Sequence, residues 1–226
     1  ADLQVIVPVP CLEPLVQETF ARQPLRTIRP LPPFGVQATR SWLQEVAASL
    51  DRQDRMNEVW EEAWSAVSGR LENLSRRARD IRLGFVLDEE ELAEAYLFQT
   101  YWGVPLIALV LEMGFAVELM VHGGSGRAPS LPAGLEELED RIRVTAFEDV
   151  DGLHTTLGGS DCQAVYSDFW GDERILSHGK GTFCQQHMEP GLAGAMVTME
   201  NLLASCRVPL VARYGRYLAQ RGEDGS

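Results

Sequence analysis

The chain has 226 residues, 45% of them hydrophobic and 23% charged, an ordinary globular balance with length enough to bury a core in one large domain or two small ones. Its 33 acidic residues outnumber its 20 basic ones, and the formal net charge of −13 argues against binding nucleic acid through a generally basic surface. The apolar run near 104–111 is broken by Pro105 and followed by Glu112, far short of a membrane span, and no export signal is visible at the start.

The first segment reads as strand (3–9), helix (11–21), strand (25–29) and helix (35–50), an alternation that favours a parallel sheet. Its first strand, Val5-Ile6-Val7-Pro8-Val9, runs to Cys11, and Leu31-Pro32-Pro33-Phe34-Gly35 makes a proline-rich exit into the last helix. Beyond it, Met56, Trp60, Trp64, Val67, Leu71 and Leu74 recur in steps of four and three, one apolar stripe on a long helix ending near Ala78. Such a helix suits a bridge between two units, its stripe serving as core packing or as a partner groove.

A second α/β unit follows, with strands expected at 81–87, 116–121, 142–147 and 164–167. Asp88 with Glu91 forms a capping box for a helix reaching Met113, kinked or broken at Pro105 and closed by Gly114. Gly123-Gly124-Ser125-Gly126 and Gly158-Gly159-Ser160 read as loops between elements, and helices are expected from Gly191 through Leu203 and over 208–218. The acidic runs Glu136-Glu137-Leu138-Glu139-Asp140 and Glu148-Asp149-Val150-Asp151 read as a solvated helix face and loop, or as a docking patch for a basic partner.

Chemistry is sparse. The turn Val86-Leu87-Asp88-Glu89-Glu90-Glu91 lacks the glycines of a dinucleotide site, and its four carboxylates would repel a pyrophosphate. The loop after His122 has no P-loop spacing, and no nucleophile elbow is present. Four cysteines in this length do not make a disulfide framework, and reduced thiols in a cytoplasm fit better. Cys184 and His187, three residues apart in a loop between Gly181 and Gly191, are reasonable ligands for iron or zinc, yet one pair cannot complete a site. Cys162 and Cys206 read as buried thiols, and Cys11, just past a strand, is either a small core hydrophobe or a ligand for a soft metal cluster.

The segment from Ala1 to Leu43 resembles the nitrogenase component 1-type oxidoreductase superfamily, in which a corner of the type P-x-G-x-x-(A/G)-T opens a helix. Pro33-Phe34-Gly35-Val36-Gln37-Ala38-Thr39 followed by Trp42-Leu43 is especially similar to the N subunit of dark-operative protochlorophyllide reductase. Leu109-Val110-Leu111-Glu112-Met113-Gly114-Phe115-Ala116-Val117 looks like that superfamily's helix-to-strand passage, and Pro190-Gly191-Leu192-Ala193-Gly194-Ala195 like its glycine-containing entry to a late helix.

The resemblance implies an α/β fold of two Rossmann-like three-layer units with mainly parallel sheets, divided as 1–54, a linking helix over 55–80, and 81–226. It also implies that the chain is the C-terminal part of a cytoplasmic subunit. The whole subunit would bind a metallocofactor or tetrapyrrole-type substrate. It would receive electrons from an ATP-dependent iron–sulfur reductase and work with a homologous partner subunit. Cys11 takes the position of the family's cofactor cysteine, and Cys184 or His187 lies in the region of its late-loop histidine, so that Cys11, Cys184 and His187 are the expected cofactor-binding residues, with Cys11 and His187 on the metal. The acidic turn at 86–91 departs from the family's cationic loop and puts that same cofactor in doubt. A non-catalytic assembly scaffold or a structural pseudo-subunit of the same fold stands as the alternative.

Overall fold

The computed structural model describes residues 3–6, 12–20, 26–92, 103–123, 140–169 and 171–207. Cys11, the glycine-rich stretch after Gly123, the acidic run before Asp140 and the helix expected over 208–218 lie outside the described residues.

The first unit is small. Strands β1 (Leu3–Val5) and β2 (Arg26–Ile28) pair in parallel, joined through helix α1 (Glu13–Phe20). The Glu13 carboxylate in the first turn of α1 takes a two-pronged bond from Arg29, both contacts 2.6 Å, and this ties the helix to the exit of β2.

The proline-rich exit then turns sharply: Phe34 N–H donates to Pro32 O at 2.8 Å, and helix α2 (Gly35–Ser49) begins. No side chain at its N-cap, Phe34, bonds the first turn. A carboxylate from far along the chain does so instead, Glu112 Oε1 accepting from Val36 N at 2.9 Å and Gln37 N at 2.8 Å. Gly35 sits at φ +83°, and a Cβ there would lie 2.6 Å from Glu112 Oε2 and 2.8 Å from Leu109 Cδ1. Only glycine gives both the left-handed backbone and the space.

The same corner starts a second helix. Pro33 O accepts from Gly191 N at 2.7 Å and Phe34 bridges antiparallel to Pro190, so α8 (Gly191–Ser205) departs beside α2. Helix α3 (Gln53–Ala78) packs against both. The expected apolar stripe faces the core: Trp60, Leu71, Leu74 and Ala78 are buried, Met56, Trp64 and Val67 pack against them, and Trp60 and Trp64 stack. The stripe is core packing.

The main sheet has five parallel strands in the order β5-β4-β3-β6-β7: β3 (Arg82–Asp88), β4 (Ala116–His122), β5 (Ile142–Phe147), β6 (Ala164–Tyr166) and β7 (Gly181–Phe183). Leu83, Phe85 and Leu87 alternate onto one face, buried with residues of α3, α8 and α5 (Leu106–Glu112). On the other face Met120, Val165 and Cys162 form a second core with α6 (Val150–Gly159) and α7 (Glu173–Leu176). This is a three-layer, Rossmann-like α/β arrangement.

Several sequence readings change. Of the kink or break expected at Pro105 the structure shows the break, with Pro105 the N-cap residue of α5, consistent with its missing N–H. Asp88 with Glu91 forms half of the expected box: Asp88 N–H donates to Glu91 Oε2 at 3.0 Å at the start of α4, described over Glu89–Leu92. Gly158 and Gly159 lie in the last turn of α6 instead of forming a loop; Asp149 caps the start of that helix by accepting from Gly152 N at 2.8 Å, and Ser160 N–H bonds Thr156 O at its end. Strand β7 and helix α7 were not expected. Both are only three or four residues long, too short to show a period.

Gly35→Ala is expected to destabilise the chain by about 2–3 kcal/mol, combining positive-φ strain with the Glu112 clash. In a thermal melt that is a fall of roughly 4–10 °C. An unchanged melting temperature would mean that the Glu112–Gly35 contact contributes little.

Candidate functional site

In an open parallel sheet, ligands settle beyond the carboxyl ends of the strands, where the strand order reverses. Here that point lies between β3 and β6, since β4 and β5 extend to one side of β3 and β6 and β7 to the other. The carboxyl ends carry Asp88, His122, Glu148, Tyr166, Asp168, Cys184 and His187.

Local chemistry fixes each of them. On β4, His122 spans its neighbours: Nδ1 lies 3.2 Å from Asp88 Oδ1 and Nε2 3.1 Å from Glu148 O, tying the ends of β3, β4 and β5 together. On the other side, Phe85, Tyr166 and Phe183 form an aromatic triangle across β3, β6 and β7, with ring centroids 5.6–6.0 Å apart. The triangle holds the Tyr166 ring while its hydroxyl donates to Asp168 Oδ1 at 2.7 Å. Burial, and then the Asp168 carboxylate, push the Tyr166 phenol above its ordinary range, so it stays protonated.

The loop after β6 is built on Asp172, which is only 8% exposed. Its carboxylate accepts from Arg174 Nε and Nη2 at 2.9 and 2.8 Å and from Ser167 Oγ at 2.9 Å. These bonds, the Arg174 pairing first, hold its pKa below the ordinary aspartate value. The loop frames a cavity of about 190 Å³ at the switch point, walled by Val86, Leu153, Leu157 and Tyr166, with Phe169 71% exposed beside it. Sequence reasoning missed this cleft, although Ser167-Asp168 just past a short apolar strand was its available signal.

Cys184 and His187 lie together in a 3-10 turn (Gln185–His187) directly after β7, not in an open loop. Cys184 Sγ is 3.5 Å from His187 Nδ1, and that nitrogen also accepts from Cys184 N at 3.1 Å. A thiol and an imidazole are the right kinds of donor for iron. With Nδ1 taken by the backbone, His187 would offer Nε2 on the far side of its ring. Among the described residues no group of three or more His, Cys, Asp and Glu side chains is placed to hold a metal ion. The donor set fits an iron-containing group in kind and falls short in number. Cys162 is buried on the opposite sheet face. Cys206 is half-buried against the first core, and burial pushes its thiol up to about 12.

No protein-family model matches the chain, and no curated protein matches it. Among solved structures the fold is that of a nitrogenase-type α/β protein. Nitrogenase Cp1 at pH 5 superposes over 94% of this chain with a TM-score of 0.62 and 11% sequence identity. Nitrogenase Cp1 at pH 6.5 does so over 94% with a TM-score of 0.61 and 10% identity. The chain spans about half of each, 48% and 50% of their lengths. At these identities the likeness is one of fold.

Asp172→Asn is expected to lower stability at pH 7 by about 1–2 kcal/mol, a charge-assisted pairing discounted because Arg174 is half exposed. The carboxylate's depressed folded-state pKa contributes stability that is present above the ordinary aspartate value of 3.8 and is lost as pH falls through the folded value. Denaturant midpoints of the two proteins should therefore converge below pH 4. A gap that persists into acid would assign the effect to packing.

Proposed function

We propose that the chain is one half of a nitrogenase-like subunit, partitioned as 1–54, 55–80 and 81–226. In the whole protein this half carries part of the pocket for an iron-containing cofactor or a tetrapyrrole-type substrate. Electrons would come from an ATP-dependent iron–sulfur reductase, with a homologous partner subunit completing the assembly, in a cytoplasm that keeps the thiols reduced. The observation that carries this reading is the fold likeness to nitrogenase Cp1 across 94% of the chain. The Cys184 thiol and His187 imidazole at the carboxyl edge support it. Among the described residues no helix is long and apolar enough to cross a membrane.

On this reading Cys11 is the first ligand to test, with Cys184 and His187 next. A second reading, a cofactor-assembly scaffold or a structural pseudo-subunit without turnover, is favoured by one feature of the edge. Asp88, Glu89, Glu90 and Glu91 crowd the end of β3, where they would repel an anionic cofactor.

Iron and sulfide analysis with a visible spectrum, on anaerobically purified full-length protein with its partner subunit, tests the ligand assignment, and substrate turnover by that complex separates the reductase from the scaffold. A coloured parent and a colourless Cys11→Ala variant are expected, whereas unchanged iron content in that variant would sink the ligand assignment. Residues 1–226 alone are expected to be inactive; substrate reduction by them with only a reductase added would refute the half-subunit reading.

A further inference from the structure

Two histidines that the proposed function does not use meet in the α6–α7 layer. His154 on α6 and His178, two residues past α7, are both half-buried, and His154 Nδ1 lies 2.9 Å from His178 Nε2. The ring centroids are 5.2 Å apart, as far as that N···N distance allows, so the two nitrogens face each other along one line. That is the geometry of a shared proton. A chelated ion would need both lone pairs to converge beside the line, and among the described residues no group of three or more metal-binding side chains includes them.

The contact ties two elements. His178 also rests against the backbone of α6 one turn further on, where a Cβ at Gly158 would lie 3.4 Å from its Nδ1. Leu153 and Leu157 of α6 and Ile175 of α7, on the elements so joined, wall the cavity of about 190 Å³ at the carboxyl edge.

Proton count decides what the tie can do. A neutral pair, or one carrying a single extra proton, places one N–H between the nitrogens. A second extra proton sets two donors face to face at 2.9 Å. The surroundings oppose that proton: burial first, then the charges of His154 and Lys180, lower the His178 pKa from its ordinary 6.5. Lys180, buried just before β7, donates to Ser160 O and Cys162 O. The other charged groups on these elements are the exposed Asp151 on α6, Glu173 and Arg174 on α7, and Asp161 after α6. Arg174 is bound to Asp172, and Asp161 to Arg82 and Arg143. Glu118 on β4 accepts from Ser160 Oγ.

We propose that His154 and His178 form an acid-sensitive latch: one shared proton holds the α7 segment against α6 at neutral pH, and entry of a second releases it and loosens that wall of the carboxyl-edge cavity. The latch stands whatever the cavity binds. Neutral His178 contributes stability that is present above 6.5 and is lost as pH falls through its lowered folded value.

The test is hydrogen exchange of the full chain at pH 7 and about pH 5, read by mass spectrometry and corrected for the intrinsic exchange rate. Residues 171–181 are expected to lose about tenfold in protection at the lower pH, while α3 keeps its protection. His154→Asn puts an amide oxygen near the place of Nδ1, where it accepts from a protonated His178, so this variant should stay protected. His178→Gln does the same from the other side should the first variant fail to fold by circular dichroism. Unchanged protection in the parent, an equal loss in a folded variant, or a loss that extends to α3 overturns the latch.

Discussion

The structure hangs on one carboxylate. Glu112, the last residue of α5, closes the first turn of α2 from 76 residues away in sequence and does what a local N-cap side chain ordinarily does. Ionised, it complements the positive end of α2; buried, it loses hydration, and burial wins enough to raise its pKa. Glycine at position 35 is what lets the carboxylate approach. Pro33 O in the same corner receives Gly191 N, so two adjacent contacts set the departure of α2 and α8, helices of the layer that covers one face of the sheet. A second close approach supports that layer. Gly114, at φ +104°, leaves room for Ser75, whose Oγ would lie 2.7 Å from a Cβ there, so α3 can lie against the passage from α5 to β4.

The opposite face is held by polar groups to a degree unusual for a parallel sheet, which is normally apolar on both sides. Glu118 in the middle of β4 is buried and accepts from Thr145 Oγ1 and Ser160 Oγ. Lys180 Nζ, also buried, donates to Ser160 O and Cys162 O at 2.8 and 2.9 Å. These bonds pin the turn between α6 and β6 to β4 and to the start of β7. Satisfied networks of this kind favour one register over its neighbours. The register matters because it decides which side chains reach the carboxyl edge: a slip of one residue in β6 would turn Tyr166 away from Phe85 and Phe183.

How much of this was legible in the sequence depended on whether the cause was local. The α3 stripe was readable because six apolar residues keep helical spacing over five turns. Strands β3, β4 and β5 were readable as apolar runs bounded by charge or glycine. Gly114 and Asp88 were readable as cap residues. The Phe34-Gly35 corner was visible as a landmark, but its partner was not, since nothing near Glu112 says that its carboxylate reaches back to residue 36. Asp149 was read as part of an acidic patch, when its position three residues before Gly152 made it a cap. Strand β7 stayed hidden because three residues carry no period, and with it the placement of Cys184 and His187 just beyond a sheet edge. Their spacing of three correctly suggested proximity, while the capture of His187 Nδ1 by the Cys184 backbone depends on a turn that spacing alone does not specify.

The two sides of the carboxyl edge differ in chemistry, and this difference is the strongest constraint on what the chain can hold. On the β3 side, Asp88 and the carboxylates of Glu89–Leu92 concentrate negative charge, with His122 bonded between Asp88 and the Glu148 carbonyl. On the β7 side stand a thiol, an imidazole and a phenol that burial keeps protonated. An anionic group bound at the switch point would be pushed from the β3 end toward the β7 end, where two soft or borderline donors wait and at least one more is required. Among the described residues there is no such third donor, so an iron-type site would need one from outside them, and Cys11 is the candidate the sequence offers. Charge on one side and donor count on the other thus leave the described residues, by themselves, short of a metal site.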